Sequence, residues 1–138
     1  LRLAVNEANL PVMGRNAQGP VLLRLLPGET VVGAAGVDGE GSVLLASARG
    51  QIKRLGVAGL RRCQRGDLGQ IGLRFEQRED QLIDLRPGSA DLVAGLLSDG
   101  RSLRLATAAL IAEDPGGSGM ALPLNPSDRL NALVPLGL

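Results

Sequence analysis

Apolar and polar positions along this chain change character every few residues. Ile71, Leu73 and Phe75 alternate with Gly72, Arg74 and Glu76, which predicts a half-buried β-strand of period two. Val21, Leu23 and Leu25 make the same pattern, with Arg24 on the opposite face. Val43-Leu44-Leu45-Ala46 is a short apolar run stopped by Arg49-Gly50, and Ile52-Lys53-Arg54-Leu55 follows at once. That arrangement predicts a hairpin turning at Gly50, and Asp99-Gly100 sets a stronger turn of the same kind further on. Leu82-Ile83-Asp84-Leu85 predicts a strand ending at the Arg86-Pro87-Gly88 turn. Segments 57–62 and 106–112 predict no more than a helical turn each.

These elements return with a period of 50 residues. Gly50 falls on Gly100, Arg54 on Arg104, Leu55 on Leu105 and Leu60 on Leu110, while Arg2, Leu3 and Leu10 take the last three places at the opening. Gly19, Gly69 and Gly119 are likewise 50 apart. Each is followed by an acidic residue ahead of apolar ones: Glu29 before Val31-Val32, Asp80 before Leu82-Ile83, and Asp128 before Leu130. Three landmarks recurring in one order establish an internal repeat. About four short strands per unit at this period predict an all-β, propeller-type radial array, in which neighbouring blades bury each other's faces. The frequent glycines and the alternation oppose a helix-pair repeat. Residues 38–87 and 88–138 make two units and 1–37 the back half of another, about two and a half blades of one partial domain. An opening in mid-strand at Leu1-Arg2-Leu3 reads as a piece of a longer polypeptide, and such a piece is expected to be marginally stable or to self-associate.

Composition narrows the chemistry. Phe75 is the only aromatic residue, so the core is predicted to be aliphatic and stacking platforms for single-stranded nucleic acid are missing. The absence of His removes an imidazole base, and a single Cys, Cys63, forms neither a disulfide nor a multi-thiolate zinc site. No metal or cofactor is expected, and no acid–base constellation marks an enzyme. No apolar run reaches the length of a membrane-spanning helix. Glu29, Asp80 and Asp128 are expected to cap turns.

Net charge is only +1, but it is unevenly placed. The unit 38–87 carries +2 and the unit 88–138 carries −2. Arg49, Lys53, Arg54, Arg61, Arg62 and Arg65 form a run of bases with no acid among them. Bases on loops and hairpins can track phosphates, where counterion release supplies affinity independent of sequence. Glycines beside Arg15 and Arg65 would let backbone amides approach phosphate oxygens. The candidate DNA-binding residues are therefore Arg15, Arg49, Lys53, Arg54, Arg61, Arg62 and Arg65. Arg2 and Arg104, at the Arg54 position, suit structural pairing as well as they suit DNA.

Three pieces in order carry a family resemblance. Gly50-Gln51-Ile52-Lys53-Arg54-Leu55 is a Gly-x-x-Lys-Arg strand; Gly14-Arg15-Asn16-Ala17-Gln18-Gly19 and Arg65-Gly66-Asp67-Leu68-Gly69 are Gly/Arg loops; and Gly28-Glu29-Thr30-Val31-Val32 closes a unit. Together they resemble the repeat in the C-terminal domain of the bacterial DNA gyrase A protein, a repeat that its topoisomerase IV counterpart shares. The resemblance implies a β-pinwheel, in which propeller-like blades exchange a strand with their neighbours. It implies sequence-independent duplex binding and bending in the service of DNA supercoiling. It also implies partnership with the rest of the topoisomerase A protein, which links the domain to the ATPase B protein, in the bacterial cytoplasm at the nucleoid. The family's tyrosine nucleophile lies upstream of such a domain, and this chain has no Tyr, so it is expected to be non-catalytic. The Gln-Arg-Arg-Gly-Gly-Lys-Gly box that marks gyrase is absent, and Glu113-Asp114-Pro115-Gly116-Gly117-Ser118-Gly119 puts acids where other units carry an Arg. The contrasting reading is a propeller-like protein-interaction module with no nucleic-acid role.

Overall fold

The computed structural model of the chain describes residues 2–3, 11–89 and 92–136; Leu1 and Leu10 lie outside them, and of 2–3 only the backbone pairing is described. Two hairpins form where the repeat places them. Strands β2 (Ser42–Ser47) and β3 (Gln51–Gly56) pair antiparallel with Val43 opposite Leu55, and β6 (Leu92–Leu97) and β7 (Ser102–Ala106) pair with Val93 opposite Leu105. Gly50 and Gly100 turn them with φ of 92° and 89°, a left-handed conformation that glycine adopts without a Cβ penalty. Strand β5 (Leu82–Pro87) lies on the other side of β2, and β10 (Leu130–Pro135) on the other side of β6. The orders β5-β2-β3 and β10-β6-β7 repeat, as the sequence predicts. Single 3-10 turns at Val57–Gly59 and Thr107–Ala109 are the helical turns expected after each hairpin.

The remaining strands are exchanged between units. β8 (Ala112–Glu113) runs parallel to β3, and β9 (Met120–Ala121) runs antiparallel to it. Both come from the unit after the one they complete. In the same way β4 (Gln70–Ile71) crosses back to pair with β1 (Arg2–Leu3). Hydrogen-bonded sheets are therefore offset from sequence units, and the exchange expected of a pinwheel is present.

The predicted strand over 71–75 stops at Ile71, because the side chains of β3 take the backbone groups that a ladder would use. Gly72 O accepts from Lys53 Nζ at 2.9 Å, Arg74 O accepts from Gln51 Nε2 at 3.0 Å, and Glu76 N donates to Gln51 Oε1 at 2.9 Å. The expected facing holds from Leu73 onward, with Leu73 buried, Arg74 exposed and Phe75 partly covered, but not at Ile71, which is exposed beside a buried Gly72. Over 21–25 the strand is reduced to one bridge between Leu23 and Asp67.

The two faces of β2 feed two aliphatic clusters. Leu44 and Ala46 pack with Ile52, Val93, Leu97, Leu122, Leu130 and Leu133, which joins the two sheets. Val43 and Leu45 pack with Leu55, Leu73 and Leu85 on the opposite face. Leu55 is fully buried, whereas its counterpart Leu105 is only partly covered.

Gly119 marks the crossing point of the exchanged segment. Its φ is 71°, and a Cβ built there would sit 2.3 Å from Ile52 O and 2.8 Å from Lys53 Cβ. Gly119→Ala is expected to destabilise the chain by about 2 kcal/mol or more, from left-handed strain plus the clash with β3. Gly116→Ala, with nothing within 4 Å of its Cβ position, is expected to shift stability by less than about 0.5 kcal/mol. Urea midpoints of the two variants provide the comparison.

Candidate nucleic-acid interface

Arg61, Arg62 and Arg65 occupy the loop between the first 3-10 turn and β4, and all three side chains are exposed. The loop beneath them is held at several points. Gln70 Nε2 and, at 3.6 Å, Cys63 Sγ both donate to Arg61 O, and Cys63 is buried under the loop. Asp67 Oδ2 accepts from Gln64 N at 2.8 Å while Asp67 N donates to Gln64 O at 3.1 Å, closing a tight turn through Gly66 with φ 81°. The preceding unit fixes the outer side, where Gly66 N donates to Leu22 O and Arg24 N donates to Asp67 O. Three cations thus stand on a braced backbone, and their guanidinium groups make no hydrogen bond or ion pair among the described residues.

Arg15 is exposed on the 14–19 loop, which turns through an Ala17 N to Gly14 O bond of 3.1 Å. Arg24, exposed and bonded through its backbone to the 61–67 loop, adds a cation that the charge run does not include. Its signal in the sequence is the recurrence of Arg24 at Arg74 after 50 residues. Arg49 stands apart. It lies at the hairpin end of β3, and six residues of strand at about 3.3 Å each put roughly 20 Å between it and the loop that follows β3. Its Nε is buried with no partner, and its N donates to Asp80 Oδ1 at 3.0 Å.

Lys53 and Arg54, expected to reach DNA, are turned inward. Lys53 has 0% exposure, and its ammonium donates to Gly72 O at 2.9 Å, Asp114 O at 2.6 Å, Gly117 O at 2.8 Å and Pro115 O at 3.2 Å. Burial lowers its pKa below the usual lysine value, and the charges of Glu113 and Asp114 oppose that fall. Arg54 Nη2 donates to Thr107 O at 2.6 Å, and its Nη1 to Gly88 O and to Ser42 Oγ at 3.2 Å. The physical reason is the exchange itself: segment 112–121 lies along the outer edge of β3, where Lys53 and Gln51 supply donors to its loop carbonyls, while Arg54 reaches the carbonyls of Gly88 and Thr107. The acids of the 113–119 loop belong to that cradle, and Glu113 Oε2 also accepts from Gly119 N at 3.2 Å.

The recurring acids cap turns. Asp80 accepts from Ser47 Oγ at 2.6 Å and Arg49 N at 3.0 Å, Asp128 from Asn125 N at 2.9 Å, and Glu29 from Leu26 N at 2.7 Å. Arg101 is tied to Asp99 at 2.6 Å and also to Asp128, and its own N–H and guanidinium hold the Asp99 carboxyl below its usual pKa. Arg129 Nη1 donates to Pro126 O and Asp128 O. Arg101 and Arg129 are therefore engaged within the chain, whereas among the described residues the side chains of Arg61, Arg62 and Arg65 are not. Among the described residues no His/Cys/Asp/Glu group of three or more is placed to hold a metal ion, and no helix is long and apolar enough to cross a membrane.

A family model described as the DNA gyrase C-terminal domain, beta-propeller, matches residues 5–38 and 41–89. The chain belongs to this family. Among solved structures, the C-terminal domain of DNA topoisomerase IV aligns over 93% of the chain at 14% identity with a TM-score of 0.81. The DNA gyrase A C-terminal domain aligns over 93% at 19% identity with a TM-score of 0.77. The alignments cover 41% and 44% of those two chains, so this chain spans less than half of either. No curated sequence matches the chain. Both structural neighbours share the β-pinwheel fold with this gyrase-family chain.

The inward place of Lys53 has a measurable consequence. Lys53→Met keeps an apolar stem but leaves four carbonyl oxygens without their shared donor, a loss expected to cost about 3 kcal/mol or more. Backbone amides of residues 112–121 should lose protection against hydrogen exchange before those of β2 and β6. Chemical denaturation with site-resolved exchange measures both effects.

Proposed function

We propose that the chain is a duplex-DNA binding and bending module from the A protein of a type IIA topoisomerase, acting as one domain of about two and a half blades. The observation that carries this reading is the set Arg61, Arg62 and Arg65, exposed and unengaged on a backbone fixed from both sides. Such cations can meet successive phosphates without first breaking an internal ion pair, and bracing lowers the ordering cost of the contact. Arg15 and Arg24 extend the basic surface onto the preceding unit. Arg49 offers a contact at the opposite end of β3, so a duplex reaching both would cross the edge of the middle blade. Lys53 and Arg54 enter only indirectly, by holding neighbouring blades in register under that surface.

Recognition of this kind is independent of base sequence, because phosphate contacts position a protein without reading base edges. Membership of the gyrase family supports the partners too: the cleavage core of the A protein, which in turn engages the ATPase B protein, at the bacterial nucleoid in the cytoplasm. The chain contains no Tyr to act as a strand-cleaving nucleophile. Bending and presenting DNA, rather than cutting it, is the role it is suited to.

Salt response tests the proposal. With Arg15, Arg49, Arg61, Arg62 and Arg65 all on phosphates, log affinity for duplex DNA would fall against log salt with a slope of about −4.5. Arg61→Ala with Arg62→Ala should flatten that slope by about 1.8 and weaken binding to unrelated duplexes alike. Arg101→Ala with Arg129→Ala removes the same formal charge from groups already engaged within the chain, and should change the slope much less. Titration of a labelled duplex at several salt concentrations gives the answer. Equal effects from the two pairs would indicate diffuse attraction, and no binding by folded protein at low salt would favour the protein-interaction alternative.

A further inference from the structure

The joint between the middle unit and the one after it encloses a cleft that neither the 61–65 loop nor the exchanged segment enters. One wall comes from the β2–β3 turn and the start of β5, the other from the end of β6 and the start of β10. Backbone bonds hold the walls in place. Leu130 N donates to Ala48 O across the joint and Ser98 N donates to Arg129 O, both at 2.8 Å, while Ala48 N donates to Gln81 O at 2.9 Å. The cleft has a volume of about 370 Å³. Ile83 and Leu130 form apolar parts of its lining, and Arg49, Gln81, Ser98, Arg129 and Asn131 bring polar groups to it.

Arg49 is the member of this set whose chemistry is incomplete. Its backbone is fixed, because Arg49 N donates to Asp80 Oδ1 at 3.0 Å. Its side chain makes no ion pair among the described residues, and there its Nε is the one buried side-chain nitrogen or oxygen without a hydrogen-bond partner. A buried donor on a charged group loses its hydration, so such a site calls for an acceptor from outside the chain. Arg129 adds a second positive charge from the facing wall, although its Nη1 already serves Pro126 O and Asp128 O. Gln81, Ser98 and Asn131 are exposed, and their side chains make no hydrogen bond among the described residues. Asp80 is engaged below the cleft with Ser47 Oγ, Arg49 N and Gln81 N. Glu79, exposed, is the one carboxylate among the lining residues. Two guanidinium groups against one carboxylate leave the lining positive, with neutral donors beside them.

We propose that this cleft binds one phosphate group, with Arg49 as its anchoring residue. Phosphate oxygens accept from Arg49 Nε and from the side chains of Ser98 and Asn131, and Arg129 contributes charge from the opposite wall. A guanidinium suits the role because its planar fork matches oxyanion geometry, and apolar neighbours strengthen the attraction by lowering the local dielectric. A tetrahedral oxyanion also presents oxygens to both walls at once, which a planar carboxylate does not. Held by residues of two units, the phosphate binds the folded joint and therefore stabilises it. This site does not rest on the duplex-binding reading, since a free phosphate and a phosphate of a DNA backbone present the same acceptor oxygens.

Titration with sodium phosphate, against sodium chloride at equal ionic strength, tests the site by nitrogen–proton NMR of the whole chain. The expected response is a saturable shift of the Arg49 Nε–H resonance together with the backbone amides of Gln81, Ser98 and Asn131. Arg49→Gln should weaken phosphate binding about tenfold or more, the size of one lost charge-assisted hydrogen bond. Arg61→Ala with Arg62→Ala should leave the response in place. Glu79→Gln removes the opposing charge at an exposed position and should tighten binding by roughly twofold to threefold. Asn131→Asp, also at an exposed position, places a carboxylate in the cleft and should abolish the response; it serves as the test should Arg49→Gln fail to fold. A labelled duplex added at saturating phosphate then identifies the source. If bound duplex displaces phosphate from Arg49, the DNA backbone fills the cleft; if the phosphate signal persists, the ligand is a free phosphate. Equal shifts in chloride and phosphate, a response unchanged in Arg49→Gln, or one confined to the 61–65 loop would overturn the proposal and leave Arg49 Nε to water.

Discussion

An ammonium group taken out of water is tolerated only where oxygen atoms replace its hydration, and in this chain those oxygens come from two different units. Lys53 draws one carbonyl from Gly72 in its own unit and three from Asp114, Pro115 and Gly117 in the next. The geometry works in both directions. The lysine needs the exchanged loop to be satisfied, and the loop, whose backbone belongs to no ladder there, needs the lysine. Glu113 and Asp114 add negative charge beside the ammonium and so oppose the desolvation that would neutralise it. Gly119 lets the segment pass against Ile52 and Lys53 where any side chain would collide. At the β3 joint, the pairing of the two units and the course of the exchanged loop are tied to this one buried charge and its oxygens.

Because β8 and β9 cover the outer edge of β3 and apolar clusters lie on both faces of its sheet, the usual alternation of inward apolar and outward polar residues fails on β3. Gln51, Ile52, Lys53 and Leu55 are all buried. The repeat, the hairpins at Gly50 and Gly100, the turn-capping acids and the aliphatic core were legible, since each rests on local chemistry that recurs. The direction of Lys53 and Arg54 was not, because a base in a strand looks the same whether it faces phosphate or a neighbour's carbonyls. One signal was present. The third unit carries Leu103 at the Lys53 position and acids at 113 and 114 in the loop that meets it. A site that accepts either Leu or Lys faces inward, and nearby acids name the partner.

The same reasoning separates the two meanings of charge in this chain. Acids in the 113–119 loop read as a surface unfit for DNA, yet they serve an internal base. Among the described residues the bases of the 61–65 loop have no such internal partner, and their loop is held by a buried thiol, a glutamine amide, the Asp67 carboxylate and backbone bonds from the preceding unit. Total charge therefore says little about the surface. Two of the six bases in the acid-free run are consumed by architecture, and removing them from the count sharpens the remaining set to one braced loop with flanking arginines.

Small aliphatic side chains suit this construction. The fully buried core residues are aliphatic, with Phe75 packed against one side, and β2 divides them into two clusters, one of which extends across to Val93, Leu130 and Leu133 of the next sheet. Each unit is then stable mainly through its neighbours, with interface terms that run only between adjacent units. Asp84 illustrates the coupling, since one buried carboxylate accepts from Leu85 N in its own strand and from Leu133 N in the next sheet, both at 2.8 Å. A joint that loses its polar clasp keeps apolar packing but loses register. The spacing of exposed arginines from blade to blade is set by that register, so the polar clasps beneath the surface fix the geometry that the surface presents.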